Sequence, residues 1–169
     1  ADFGYLKGTI NPLNFYALSK ATVDYWVLDH IDEFELIQGF RYFNVYGEGE
    51  EHKEDQASPI SKFTKQAKET KVIKIFEDSE YAFRDFVCVN DVVDVVLDNT
   101  AGSGIYDVGT GNPISFHEVA ELIAKKEGAE IEVIPFPKHL EGKYQEYTCA
   151  DTSWYPHNYA SVFEYIGMS

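Results

Sequence analysis

The residues of this chain best suited to chemistry are Tyr16 and Lys20, four apart in "NPLNFYALSK". On a helix that spacing puts both side chains on one face, one turn apart. A phenol there can pass a proton, and a neighbouring ammonium stabilises its phenolate form. Any amphipathic helix can carry the same pair, so a proton-transfer couple and two neighbours on a helix face are both open on these residues alone. The other motif with chemical content is "GTGN", Gly109 to Asn112, a glycine pair after a strand-like run. It lacks the third glycine of a dinucleotide-binding turn, and ending a strand is the simpler reading.

The elements that must position these residues alternate in type. Pro12 followed by "LNFYALSKATVDYWVLDHI" reads as a helix with apolar positions at Leu18, Val23, Trp26, Val27 and His30 or Ile31. "FELIQGFRYFNVYG" reads as one near-continuous apolar strand of the kind buried in a parallel sheet, ended by Gly47. The polar loop "EGEEHKEDQAS", with five acidic residues, leads to a second helix opened by Pro59. "VIKIF" and "FVCV" are strands separated by the polar segment "EDSEYAFRD". "NDVVDVVLDNT" is a helix with an Asn/Asp cap, and "SGIYDVGTGN" is a strand running into glycines. "SFHEVAELIAKKEG" has a serine cap, helical spacing and a terminal glycine, and "EIEVIPFP" is a late strand. Strand and helix alternate throughout, which defines an α/β protein.

Composition excludes several classes. At 169 residues, 44% of them hydrophobic, the chain can bury a core, and one compact domain is the default. A net charge of −15 disfavours nucleic acid and anionic membrane as partners. No apolar run reaches the roughly 20 residues of a membrane helix, and the first ten residues have no signal-peptide pattern, so a cytoplasmic location is expected. Cys88 and Cys149 form no metal-binding or disulfide pattern; both are expected as buried thiols, and no metal is expected.

Taken in order, "PLNFYALSKATVDYW", "GFRYFNVYG", "RDFVCVNDV" and "GIYDVGTG" resemble the extended short-chain dehydrogenase/reductase family, the NAD-dependent epimerases and dehydratases. Within it, "EGEEHKEDQAS", "KIFEDSEYAFRDFV" and "IPFPKHLEGKYQEYTCAD" look most like the ADP-L-glycero-D-manno-heptose 6-epimerases. The resemblance implies the C-terminal part of a Rossmann-type parallel sheet plus a small α/β substrate-binding subdomain. Residues 1–47 and 86–111 would belong to the Rossmann part, and 48–85 and 112–169 to the sugar-nucleotide part. It implies NADP as cofactor, with NAD possible, since the residues that select between them belong to a first half not seen in this sequence. That half would also carry the glycine-rich turn. The chain is therefore expected to be a C-terminal half, inactive alone, with an apolar edge covered by a second copy or by the missing half.

The resemblance also implies roles. Tyr16 would be the catalytic acid–base group, with Lys20 touching the nicotinamide ribose and tuning it. Lys53 would be the second base, and both bases would lie against the cofactor, as would Val45. Asn44 would contact substrate. Phe76, Glu77, Asp78 and Ser79 fall on the family's F-E-G-S substrate segment, Arg84 on its substrate arginine and Tyr144 on a late substrate tyrosine. Asp55 and Lys62 stand where the family has a serine and a histidine; an acid beside a diphosphate would repel it, and Lys62 would restore the charge. Epimerising an unactivated carbinol requires hydride removal and return, with one proton-transfer group on each side of the carbon. Tyr16 and Lys53 would be those groups and Arg84 would hold the ADP-sugar diphosphate. The plain alternatives are a solvated loop lysine at Lys53 and a surface pair of Arg84 with Asp85 or Glu80. Two other functions fit the same residues: a non-catalytic sugar-nucleotide-binding or assembly module, and an epimerase or dehydratase for another nucleotide sugar.

Overall fold

The computed structural model describes residues 5–6, 9–10, 12, 14–138 and 145–168. A short antiparallel hairpin, β1 (Tyr5–Leu6) and β2 (Thr9–Ile10), precedes α1 (Phe15–Asp29), which is capped by the Asn14 side chain accepting from Ala17 N at 2.8 Å. Next come β3 (Gln38–Tyr42) and β4 (Asn44–Tyr46), then a 3₁₀ turn over Glu51–Gln56. The run that reads as one strand is thus two. β3 pairs in parallel with β8 (Gly104–Val108), and β4 pairs in parallel with β7 (Phe86–Cys88). The change of partner falls at Phe43, whose N–H goes to Val108 O at 3.1 Å while the next N–H, of Asn44, goes to Asp85 O at 3.0 Å.

The remaining elements build a second layer. α2 (Pro59–Thr70) has Ser58 as N-cap and ends on Lys71 in the left-handed conformation. β5 (Val72–Phe76) pairs in parallel with β10 (Glu130–Ile134), and β6 (Phe83–Arg84) pairs antiparallel with β9 (Ile114–Ser115). α4 (Phe116–Glu127) opens on a capping box of Ser115 and Glu118 and closes on Gly128 at φ 62°, as its sequence predicts. α5 (Val162–Met168) ends the described chain. α3 (Val89–Asp98) departs from expectation: its N-cap is Cys88, with no side-chain cap bond, and Asn90 and Asp91 lie inside its first turn. Asp91 is instead buried, accepting from Ala160 N at 3.0 Å and bonded to His157 Nε2 at 3.0 Å.

Two clusters of buried side chains form. One joins Tyr46, Ile60, Ala67, Ile73, Ile75 and Phe86 to the α4 stripe Val119, Ala120, Ile123 and Ala124. The other centres on Val87, Val92, Val95 and Val108 under Phe40, Val45 and Trp154. Cys88 lies in the first; Cys149, expected buried, is exposed, and both thiols are free.

Helix α1 corrects the sequence reading most. Leu18, Val23 and Trp26 point to solvent, and its buried residues are Ala17, Ala21, Asp24 and Val27. Small residues face inward because the helix lies close against β3 and β8, where larger ones would not fit. A Cβ on Gly39 of β3 would sit 2.6 Å from Ile105 Cδ1 and 3.7 Å from Val27 Cγ2.

Candidate functional site

Tyr16 and Lys20 do share a face: the Lys20 ammonium lies 5.2 Å from the centre of the Tyr16 ring. Tyr16 is 62% exposed, so its hydroxyl is accessible. Both border an open cleft of ≈ 580 Å³ that Asn44, Val45 and Lys53 also line. Residues from a helix, a strand and a turn thus converge on one space.

Lys53 enters that cleft because its turn is anchored by a residue the sequence reading passed over. Glu50 is buried, and its carboxylate accepts from Ser58 N at 2.9 Å and Ser58 Oγ at 2.6 Å. The same hydroxyl caps α2 by accepting from Ser61 N at 3.2 Å. The Lys53 ammonium is 3.8 Å from Glu50 Oε1. Lys53 is therefore half-exposed and tethered, unlike a free loop lysine. Asp55 falls in the same turn.

Phe76, Glu77, Asp78, Ser79 and Lys62 border a second cleft, of ≈ 790 Å³. Pro59, at the start of α2, lines both clefts. The segment leaves β5 in a tight turn pinned by Glu77 N donating to Ile134 O at 2.9 Å, with Asp78 at φ 60°. Glycine adopts that conformation freely and aspartate tolerates it, which explains how Asp78 occupies the glycine position of F-E-G-S. The cleft wall is aromatic: Phe76 and Phe136 meet edge to face at 5.7 Å, and Phe116 lines it too.

Arg84 is no surface side chain. It is 3% exposed, donates from Nη1 to Phe83 O at 2.8 Å and from Nη2 to Gln145 O, and stacks its guanidinium 5.4 Å from the Phe116 ring. It reaches the second cleft through Phe116. Tyr144 lies outside the described residues.

The joint between the two layers is Asp85, which the sequence offered only as a surface partner for Arg84. It is 0% exposed, and its carboxylate accepts from Thr110 N and Thr110 Oγ1 at 2.7 Å each, Gly111 N at 2.8 Å and Ala150 N at 2.9 Å. A fully buried carboxylate is tolerated when its lone pairs are this well met. The glycine turn after β8 therefore wraps a protein carboxylate, and a Cβ on Gly109 would lie 2.8 Å from Asp85 Oδ2. An acid between two apolar strands, in "AFRDFVCV", was the available signal.

Asp107 lies nearby on β8, and burial pushes its carboxyl above the ordinary range, opposed by the Asp151 N–H and by Arg41. Asp91, Asp94 and His157 bring ligand atoms within 4.8 Å of one another, although Asp91 is already satisfied by its two partners.

Parallel ladders, covering helices and two clefts meeting at a helix N-terminus define a Rossmann-like α/β protein with a second layer. The NAD dependent epimerase/dehydratase family matches residues 4–109, and the chain belongs to it. It is 43% identical, over 84% of its length, to the ADP-L-glycero-D-manno-heptose-6-epimerase of Alkalilimnicola ehrlichii, of which it covers 48%. It superposes on the crystal structure of the Helicobacter pylori ADP-L-glycero-D-manno-heptose-6-epimerase with a TM-score of 0.80 at 28% identity, covering 98% of this chain and 52% of that one. The UDP-N-acetylglucosamine 4-epimerase of Methanobrevibacter ruminantium shares the fold, with a TM-score of 0.79 at 18% identity over 98% of this chain and 57% of that one. The chain spans about half the length of these relatives.

Proposed function

We propose that this chain carries the proton-transfer and sugar-nucleotide-binding part of an ADP-heptose 6-epimerase. The single observation that carries the reading is the adjacency of two clefts, one bordered by Tyr16, Lys20, Asn44 and Lys53, the other by Phe76–Ser79 and Lys62, with Pro59 between them. A nucleotide sugar laid along both would put its nucleotide against the aromatic wall and its sugar between Tyr16 and Lys53.

The donor set of the first cleft, a phenol, an ammonium and an amide, suits a nicotinamide ribose and a reacting carbinol. NADP, or NAD, held by Tyr16, Lys20, Val45 and Lys53, supplies the hydride acceptor and donor. Tyr16 takes or returns the hydroxyl proton on one side of the carbon, and Lys53 does so on the other. Lys20 stabilises the Tyr16 phenolate by charge, and Glu50 keeps Lys53 at the cleft mouth. Lys62 offsets the acids Glu77 and Asp78 toward a diphosphate. Arg84 contributes by bracing Phe116. The apolar outer face of α1 is covered in the working enzyme by a second chain or by sequence corresponding to the other half of the relatives, and a monomer in sedimentation at micromolar concentration counts against this.

Calorimetry on the chain with ADP-heptose, UDP-glucose, NADP and NAD tests the reading. ADP-sugar binding that weakens in Lys62→Glu is expected. Preference for UDP-glucose moves the substrate to another nucleotide sugar, and sugar-nucleotide binding with neither cofactor points to a non-catalytic module. In whichever assembly turns over, Tyr16→Phe and Lys53→Met should each lower epimerisation by about 10²–10⁴-fold; a Lys53→Met enzyme within a few-fold of the parent removes Lys53 from the mechanism.

A further inference from the structure

The pair that would transfer protons sits on a helix whose described inward face is made mostly of small side chains. The inward face of α1 consists of Ala17, Ala21, Asp24 and Val27, and it rests on a sheet surface that includes Gly39. Methyl groups and a glycine make a surface of low relief, and apolar contact has no preferred direction. Such packing resists separation of helix and sheet but does little to stop sliding. A directional contact is present among the described residues. Asp24 is the third member of the series Tyr16, Lys20, Asp24, each four residues from the last, so it lies on the catalytic face. Its Oδ2 accepts from Arg41 Nε of β3 at 2.9 Å, and Arg41 Nη1 reaches Asp107 Oδ1 of β8 at 3.5 Å. All three side chains are mostly buried, and Asp24 and Arg41 both line the first cleft.

We propose that Asp24 and Arg41, steadied by Asp107, are positioning residues that set where α1 presents Tyr16 and Lys20. The inference rests on the function proposed for those two residues. The guanidinium is planar and its donors are fixed, so gripping one carboxylate on the helix and another on the neighbouring strand fixes both the height and the rotation of α1 on the sheet. A helix displaced by about 1 Å moves the phenol out of reacting distance, and displacement of that size costs about 10²-fold in rate.

The test uses the 169-residue chain labelled with fluorotyrosine, with the Tyr16 signal assigned by its loss in Tyr16→Phe. Asp24→Asn is expected to shift the Tyr16 fluorine signal and to speed amide exchange over 15–29 about tenfold, leaving α4 within about twofold. Asp24→Glu, which keeps the ion pair, is expected to return both toward the parent. Arg41→Lys keeps a cation but cannot grip both carboxylates, and the same changes should appear in it at smaller size; it carries the test if Asp24→Asn fails to fold. An unmoved Tyr16 signal overturns the proposal, and so does equal acceleration in α1 and α4, which would make the pair a general prop. Calorimetry with ADP-heptose and UDP-glucose on the parent chain separates the two ideas: absence of any sugar-nucleotide binding there defeats the functional reading, while a helix loosened only by loss of the ion pair still stands.

Discussion

Helices α1 and α4 are of similar length and are held in opposite ways. α4 buries Val119, Ala120, Ile123 and Ala124 in the larger core, starts on a full capping box and ends on a left-handed glycine. α1 buries two alanines, one valine and one aspartate, and turns Phe15, Leu18, Tyr25 and Leu28 to solvent, Phe15 at 90% exposure. It has no acid in its first turn and no base in its last. α4 carries its own stabilisation, whereas α1 carries the candidate chemistry and rests on the sheet through small side chains and the Asp24–Arg41 ion pair. The layer that supports itself forms the second cleft; the layer that does not presents Tyr16.

The largest expected effect comes from cutting the joint between the layers. Asp85→Ala empties a fully buried carboxylate site and strands three backbone N–H groups, one buried and two partly buried, so a loss of about 3–5 kcal/mol in urea unfolding is expected, exposing both layers together. If exchange rises in only one layer, Asp85 does not join them. Next, Ile123→Ala in α4 should cost about 2–5 kcal/mol, while Leu18→Ala in α1 should fall within about 0.5 kcal/mol in the same assay. Comparable losses would mean that the outer face of α1 is covered in the isolated chain. Smaller still, Ser115→Ala removes the α4 cap for about 1 kcal/mol of global stability. Asn14→Ala should speed exchange only in the first turn of α1, because fraying there need not open either core.

What sequence made legible follows the same division. The α4 stripe, its serine cap and its glycine stop were readable because local signals and burial agree there. In α1 the apolar residues misled: Leu18, Val23 and Trp26 follow a helical period but not the buried face, since close approach to the sheet selects alanine inside. The doubled strand at Phe43 could not be read, because pairing with β8 or β7 is a long-range choice that the residues between 38 and 46 do not encode. Within the site, Tyr16, Lys20, Asn44, Val45 and Lys53 were named from motif and do line one cleft. Asp24, Arg41 and Glu50 were not named, and Asp85 was named only as a surface partner for Arg84, because each acts through a partner 8 to 65 residues away.

The smallest expected effect separates the two thiols. Cys88 sits in the larger core, while Cys149 is exposed beside the Asp85 joint, its Sγ 3.5 Å from Gly111 O. Exposure alone predicts a readily alkylated Cys149. Yet partial burial, with Asp85, Asp107 and Asp151 nearby, raises its thiol above the ordinary value, since each acid disfavours a second negative charge. At neutral pH the reactive thiolate is then scarcer than in an unfolded peptide. Alkylation at Cys149 should accordingly be slow near pH 7 and climb only above the ordinary thiol range of about 8.5, with Cys88 unreactive until the core opens. The linkage has a definite sign. A thiol that holds its proton more tightly folded than unfolded stabilises the fold while protonated, and that contribution fades as pH rises through the raised value. Because the side chain is largely in water, solvent screens the effect, and Cys149→Ser should flatten the alkaline slope of stability only slightly. Rapid alkylation at pH 7 would show that the acids around the joint are neutral or turned away.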